Sequence, residues 1–208
     1  MHILYSFRRC PYAMRARMAL KIAKIEYEHR EILLRDKPAE MLAASPKATV
    51  PVLVLSGDEV IDESFDIMLW ALAQSDPQHW LKPGLENMHP LIEMITGDFK
   101  HHLDHYKYAS RYHADETRGS VDHDHRERAC EVLKKLETTL SKQPFLMGTQ
   151  PSLADYAIFP FIRQFSNVER EWWDTPQFPF IHKWLEHFLA SDIFTGIMQK
   201  HPVWKPEL

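Results

Sequence analysis

Cys10 stands between Arg9 and Pro11 in the segment SFRRCPYA, where a short β-prone run gives way to a helical pattern. A free thiol with a pKa near 8.5 is only about 3% ionised at pH 7, and the thiolate is the nucleophile. Pro11 suits a first helical position, because the N–H it lacks would have no partner there. The spacing therefore predicts a helix that opens at Pro11 with the Cys10 sulfur at its positive end. The helix dipole favours the anion by roughly 0.3–2 kcal/mol, which at about 1.36 kcal/mol per pH unit can bring Cys10 close to half-ionised. Hydrogen bonds from the turn, or the charges of Arg8 and Arg9, would supply anything further. Position 13 is alanine, so the Cys-x-x-Cys redox pair is absent and an external thiol must resolve a mixed disulfide on Cys10. A free cysteine can also be a small buried hydrophobe; that is the reading for Cys130, which lies on the helical pattern ERACEVLKKLETTL.

Three further features could hold a ligand beside that sulfur. Val50-Pro51 opens a strand where proline would break the ladder, unless a cis bond turns the Val50 backbone towards an extended peptide ligand. Glu63-Ser64 opens a helix: Ser64 and its N–H could hold a carboxylate on the positive helix end, and Glu63 an ammonium. Lys37, before Pro38, could take a second carboxylate. Each has a plainer reading, as an edge-strand proline, an N-cap and a solvated lysine; their conjunction with Cys10 favours the ligand.

The elements that position these residues follow from periodicity. HILYSF reads as a strand. From Pro11, Ala13, Ala16, Leu20 and Ala23 recur at helical spacing, and Arg15, Arg17, Lys21 and Lys24 lie off that face. IEYEHREI reads as a second strand, KPAEMLAAS as a short helix, VPVLVLSGDEVI as a hairpin around Ser56-Gly57-Asp58, and ESFDIMLWALAQS as another helix. This βαβ, helix, hairpin, helix order occupies residues 1–75. DPQHWLKPG, residues 76–84, reads as a linker. Beyond it no alternating segment occurs, so 85–208 is expected to be all-helical, with Leu91, Ile95, Phe99, His102 or Leu103, and Tyr106 on one face. Ser152 followed by Asp155 before an apolar run is a capping-box signal.

Cys10-Pro11-Tyr12-Ala13, Val50-Pro51 and Glu63-Ser64 together resemble the cytosolic glutathione transferases, above all their cysteine-type, omega-like members, with dehydroascorbate reductases and the glutaredoxin of transferase fold nearby. The resemblance is specific over about the first 75 residues. It implies an α/β thioredoxin-like N-terminal domain followed by an all-α C-terminal helical domain. It implies that Cys10 forms a mixed disulfide with glutathione and that Tyr12 lines the site. Leu34 and Lys37 would contact the glycyl end, Val50 and Pro51 the cysteinyl unit, and Glu63 and Ser64 the γ-glutamyl end. The activity implied is thiol–disulfide exchange, deglutathionylation or dehydroascorbate reduction, with glutathione as co-substrate and a small molecule or protein thiol as the second substrate. Tyr106, Tyr108, Trp172 and Trp173 are candidates to line a second-substrate pocket or, at these spacings, core residues. Conjugation of an electrophile is the alternative activity, and a non-catalytic interaction module the alternative class. Most of the family pair as two-fold dimers, which implies a homodimer here.

Composition bounds the rest. The 208-residue chain is 45% hydrophobic, 26% charged and carries a formal charge of −4, so no basic surface for nucleic acid is expected. Two cysteines and no leader-like N-terminus suggest a reducing, cytoplasmic setting. With six glycines there is no phosphate-cradling loop, and no cofactor is expected. Thirteen histidines invite a metal, with His101, His102, Asp104 and His105 close together and His123 and His125 in DHDHRER. The high polarity of both segments reads instead as solvated helix faces, and no metal is expected.

Overall fold

The computed structural model describes residues 1–206. Its chain divides into two compact units, residues 1–79 with 190 onward, and residues 80–189.

The first unit is built on a four-stranded mixed sheet in the order β2-β1-β3-β4. Strand β1 (His2–Ser6) is followed by helix α1 (Pro11–Ile22) and by β2 (Tyr27–Glu31), which pairs with β1 in parallel. After α2 (Ala39–Ala44), β3 (Val52–Val54) returns antiparallel to β1 and β4 (Val60–Ile61) antiparallel to β3; α3 (Ser64–Gln74) completes the motif. This is the thioredoxin-like arrangement. Helix α1 is not amphipathic in the expected sense: every residue from Ala13 to Leu20 is buried, Arg15 and Arg17 included. It packs against α3 and against α10 (Asp192–Ile197).

The second unit is all helix: α4 (Leu85–Met94), a π-helical turn (Ile95–Phe99), α5 (Lys100–Lys107), α6 (His123–Leu140), α7 (Leu153–Ser166), the short α8 (Arg170–Trp173) and α9 (Pro179–Leu189). The π turn shifts the helical phase, so Ile92 rather than Leu91 joins Ile95, Phe99, Leu103 and Tyr106 in the core. Asp155 is fully buried and accepts four hydrogen bonds: from the N–H groups of Leu146 and Ser152, from the Ser152 hydroxyl and from the Trp184 indole, at 2.8–2.9 Å. The capping box is therefore also an anchor for the loop before α7 and for α9.

These boundaries differ from the 1–75, 76–84 and 85–208 division expected from the pattern. Trp80 is no linker residue. It is fully buried, stacks on Tyr156 at 3.7 Å, and its carbonyl accepts from the Leu153 N–H. At the other end, residues from Ala190 return to the first unit: Val203 bridges Glu31 alongside β2, and the Trp204 N–H donates to the Glu31 carbonyl at 2.8 Å. The Arg30 guanidinium lies 4.2 Å over the Trp204 ring. So short a segment carries too little periodicity to announce this. The last two positions of the expected helical domain, 207 and 208, lie outside the described residues.

Replacing Asp155 by alanine would strand three buried donors of the backbone and the indole, at about 1–3 kcal/mol each. Asp155→Ala is expected to lower the urea midpoint by the equivalent of about 3 kcal/mol or more; an unchanged midpoint would show that the anchor is dispensable.

Candidate active site

Cys10 is the N-cap of α1, with extended backbone dihedrals of −73° and 123°, and Pro11 takes the first helical position. The turn before it is closed by the Cys10 N–H donating to the Phe7 carbonyl at 3.0 Å. The residue is half-buried, against an apolar cluster of Tyr5, Ile32, Met41, Val50 and Val52. The Val50–Pro51 bond is cis, and the Val50 carbonyl accepts a 3.7 Å hydrogen bond from the Cys10 thiol. The sulfur thus sits where a helix's unpaired N–H groups and a strand's backbone meet.

The charges around it come from α1 itself. Arg15, one turn in, donates through Nε to the Ser64 hydroxyl at 3.0 Å and spreads its guanidinium over the rings of Tyr12 and Phe65, at 5.3 and 5.7 Å. Arg17 donates to the Ser6 hydroxyl at 2.9 Å and to the Arg8 carbonyl at 2.7 Å. Burial pulls the Arg15 guanidinium down to about 10, still cationic at neutral pH, and negative charge on Tyr12, Glu63 or Cys10 acts to raise it. Burial lowers Arg17 in the same way, against Tyr27, Glu31 and Cys10. Coulomb coupling is mutual, so both guanidinium groups favour an anionic sulfur at Cys10. The nearer sequence neighbours do other work: Arg9 is exposed and lies 5.6 Å over Phe7, while the Arg8 N–H donates to Glu31 at 2.6 Å.

Glu63 and Ser64 form the start of α3, Glu63 as N-cap and Ser64 buried in the first turn. Lys47, on the loop before β3, donates to Glu63 at 2.7 Å and to Asp62 at 3.0 Å, and Ser45 holds the other Asp62 oxygen. Arg15 and Lys47 were both invisible to sequence reasoning, the first because an arginine on a helix is expected to be solvated. Leu34 is exposed and Lys37 half-buried on the loop between β2 and α2; the flanking Ile32 and Met41 share the apolar cluster with Cys10 and Val50. Cys10, Tyr12, Val50, Pro51, Glu63 and Ser64 thus gather at the facing ends of α1, α3 and β3, with Leu34 and Lys37 on the adjoining loop.

The other expected residues belong to the second unit. Cys130 is buried on α6 and its thiol is pushed up to about 11 by that burial, far from a nucleophile. Tyr106 is fully buried, its hydroxyl donating to Glu169 at 2.7 Å, and Trp173 is buried against His182 at 4.7 Å; both are core. Tyr108 lies under the Arg111 guanidinium at 4.0 Å and Trp172 under that of Arg126 at 4.5 Å. The histidines are not all on solvated faces: His102 and His125 are half-buried and hydrogen-bond to one another across α5 and α6.

Known proteins are similar throughout. Residues 4–79 match the family profile described as glutathione S-transferase, N-terminal domain, and residues 79–187 the profile of the glutathione S-transferase C-terminal domain. Glutathione S-transferase omega-1 of Mus musculus is 27% identical over 201 residues, 96% of this chain and 77% of that protein. The pyrimidodiazepine synthase of Drosophila melanogaster is 28% identical over 88% of this chain and 74% of its own length. The solved structure of a glutathione transferase of Phanerochaete chrysosporium, in complex with oxidized glutathione, shares the fold with a TM-score of 0.80 at 19% identity, covering 94% of each chain.

Exposure and charge together predict a sharp selectivity. Iodoacetamide at pH 7 is expected to label Cys10 and leave Cys130 untouched, as read by peptide mass spectrometry. Arg15→Met should slow Cys10 labelling about three- to tenfold, the size of one lost Coulombic partner. An unchanged rate would remove Arg15 from the site's electrostatics.

Proposed function

The chain belongs to the glutathione S-transferase family, and within it we propose that it is a cysteine-type, glutathione-dependent thiol transferase. What supports this reading is Cys10: a half-buried cysteine at a helix N-terminus, coupled by charge to two buried guanidinium groups of that helix, where a hydroxyl would serve a conjugating enzyme. A hydroxyl can only stabilise the thiolate of glutathione itself, whereas a sulfur can bond to it.

In the proposed reaction glutathione lies along the Val50 backbone, its γ-glutamyl carboxylate at Ser64 and the start of α3, its ammonium at Glu63, and its glycyl carboxylate towards Lys37. Lys47 already neutralises part of Glu63, so the ammonium shares that carboxylate with it. The Cys10 thiolate attacks the glutathione sulfur of a mixed disulfide. The S–S bond to the substrate breaks, the substrate leaves as a thiolate that takes a proton from water, and Cys10 carries the glutathionyl group. A second glutathione thiolate attacks that group, giving glutathione disulfide and restoring the Cys10 thiolate. With Ala13 in place of a second cysteine, the chain cannot resolve the intermediate from within the motif.

The test is direct. The chain should turn over the mixed disulfide of hydroxyethyl thiol and glutathione and act weakly on a chlorodinitrobenzene electrophile. Cys10→Ser should abolish the first activity, by at least a hundredfold, while glutathione is still retained on an affinity matrix. Reversed rates would mean a conjugating enzyme, and failure to bind glutathione an interaction module. Ser64→Ala, which removes both the ligand contact and the Arg15 partner, should weaken glutathione binding about tenfold by titration calorimetry.

A further inference from the structure

The helical unit carries a second cluster of chemistry-bearing side chains, and it does not depend on the thiol reading. His102 on α5 and His125 in the first turn of α6 face one another, Nδ1 to Nδ1, at 2.8 Å. A ligand nitrogen of the exposed His101 lies within 4.8 Å of theirs. Two imidazoles this close share one proton, one ring donating and the other accepting. Burial, above all, lowers the affinity of both rings for a further proton, against the pull of Asp98 on His102 and of Asp122 on His125.

The surroundings fix the rings. The His105 Nδ1–H donates to the His101 carbonyl at 2.9 Å, and the His105 ring stacks between Tyr112 at 3.6 Å and His125 at 4.5 Å. The Asp122 side chain accepts from the His125 backbone N–H at 3.1 Å, which pins the start of α6. The Asp98 carboxylate stands 3.6 Å from the far nitrogen of His102, the place where a carboxylate orients a metal-bound imidazole and strengthens it as a ligand.

We propose that His101, His102 and His125 form a binding site for a divalent first-row transition ion such as Zn²⁺, which bridges α5 and α6 and leaves a coordination position open. The ion takes the place of the proton between the two rings. Bonds of about 2.0–2.1 Å at tetrahedral or octahedral angles set ligand nitrogens about 2.9–3.4 Å apart, so the two nitrogens separate by a few tenths of an ångström while the rings turn until their lone pairs converge on the ion. His101 completes the set by a side-chain rotation on an exposed face. An all-imidazole set suits Zn²⁺, Cu²⁺ or Ni²⁺ and offers little to Mg²⁺ or Ca²⁺, which prefer oxygen. Three protein ligands leave room for water or an exogenous donor.

The untagged full-length chain, stripped with chelator, is titrated with Zn²⁺ by calorimetry, and with Co²⁺ by visible absorption. The expected result is saturation at one ion per chain, a Co²⁺ d–d spectrum of nitrogen coordination, and a melting temperature raised by Zn²⁺ but not by Mg²⁺. His102→Gln and His125→Gln should each weaken binding at least tenfold. His101→Ala, exposed and so harmless to folding, should do the same and leave the thiol-transfer rate unchanged. His89→Ala, a histidine outside the cluster, should leave binding as it is. No saturable binding, equal binding after His101→Ala, or an equal loss from His89→Ala would overturn the site.

Discussion

A cysteine sulfur is held as an anion only where positive charge stands near it, and in this chain one helix offers such charge from two sources. The first source is the N-terminus of α1, at whose cap Cys10 sits; the second is the pair Arg15 and Arg17, buried further along the same helix. Burying two guanidinium groups is costly unless their donors are met. Hydrogen bonds to three of those donors come from elsewhere in the fold: Ser64 at the head of α3 for Arg15, and Ser6 and the Arg8 carbonyl at the exit of β1 for Arg17. The sheet, the turn before Cys10 and the start of α3 are therefore held in register by the groups that polarise the sulfur. The same Ser64 that orients Arg15 is the residue proposed to receive the carboxylate of glutathione, so the proposed ligand and an arginine that couples to the sulfur by charge meet at one hydroxyl.

Much of this was legible because it is local. A strand that ends in Cys-Pro, a helix with Pro at its first position, a hairpin around Ser-Gly-Asp and a Ser-x-x-Asp box are short-range signals, and the elements form where they predict. The cis Val50–Pro51 bond belongs to the same class. What escaped depends on partners distant in sequence. Arg15 and Arg17 fall off the apolar stripe of α1, yet both are buried, bonded to the head of α3 and the end of β1. Trp80 lay in a Pro- and Gly-bearing stretch that resembled a linker, and the tail from Ala190 offered too little periodicity to show that it rejoins the first unit. Lys47 on Glu63 is an ion pair that only the folded loop creates.

The helical unit follows the same rule, that a buried polar group organises what surrounds it. Asp155 gathers four donors and ties α7, its preceding loop and α9 together. Glu169 likewise receives the Tyr106 hydroxyl, the Arg126 guanidinium and His123. The His102–His125 pair differs: its two Nδ1 atoms bond to each other, and the proposed ion stands where their proton does.

The ionisation of Cys10 is the quantity on which the thiol-transfer account turns. Ultraviolet titration of the thiolate, taken as the difference between the native chain and Cys10→Ser, reads it without substrate. The account predicts a midpoint below pH 7, well under the value of about 8.5 for a free thiol. A midpoint at or above that value would mean that neither the helix nor its two arginines hold the sulfur as an anion, and the account would fail.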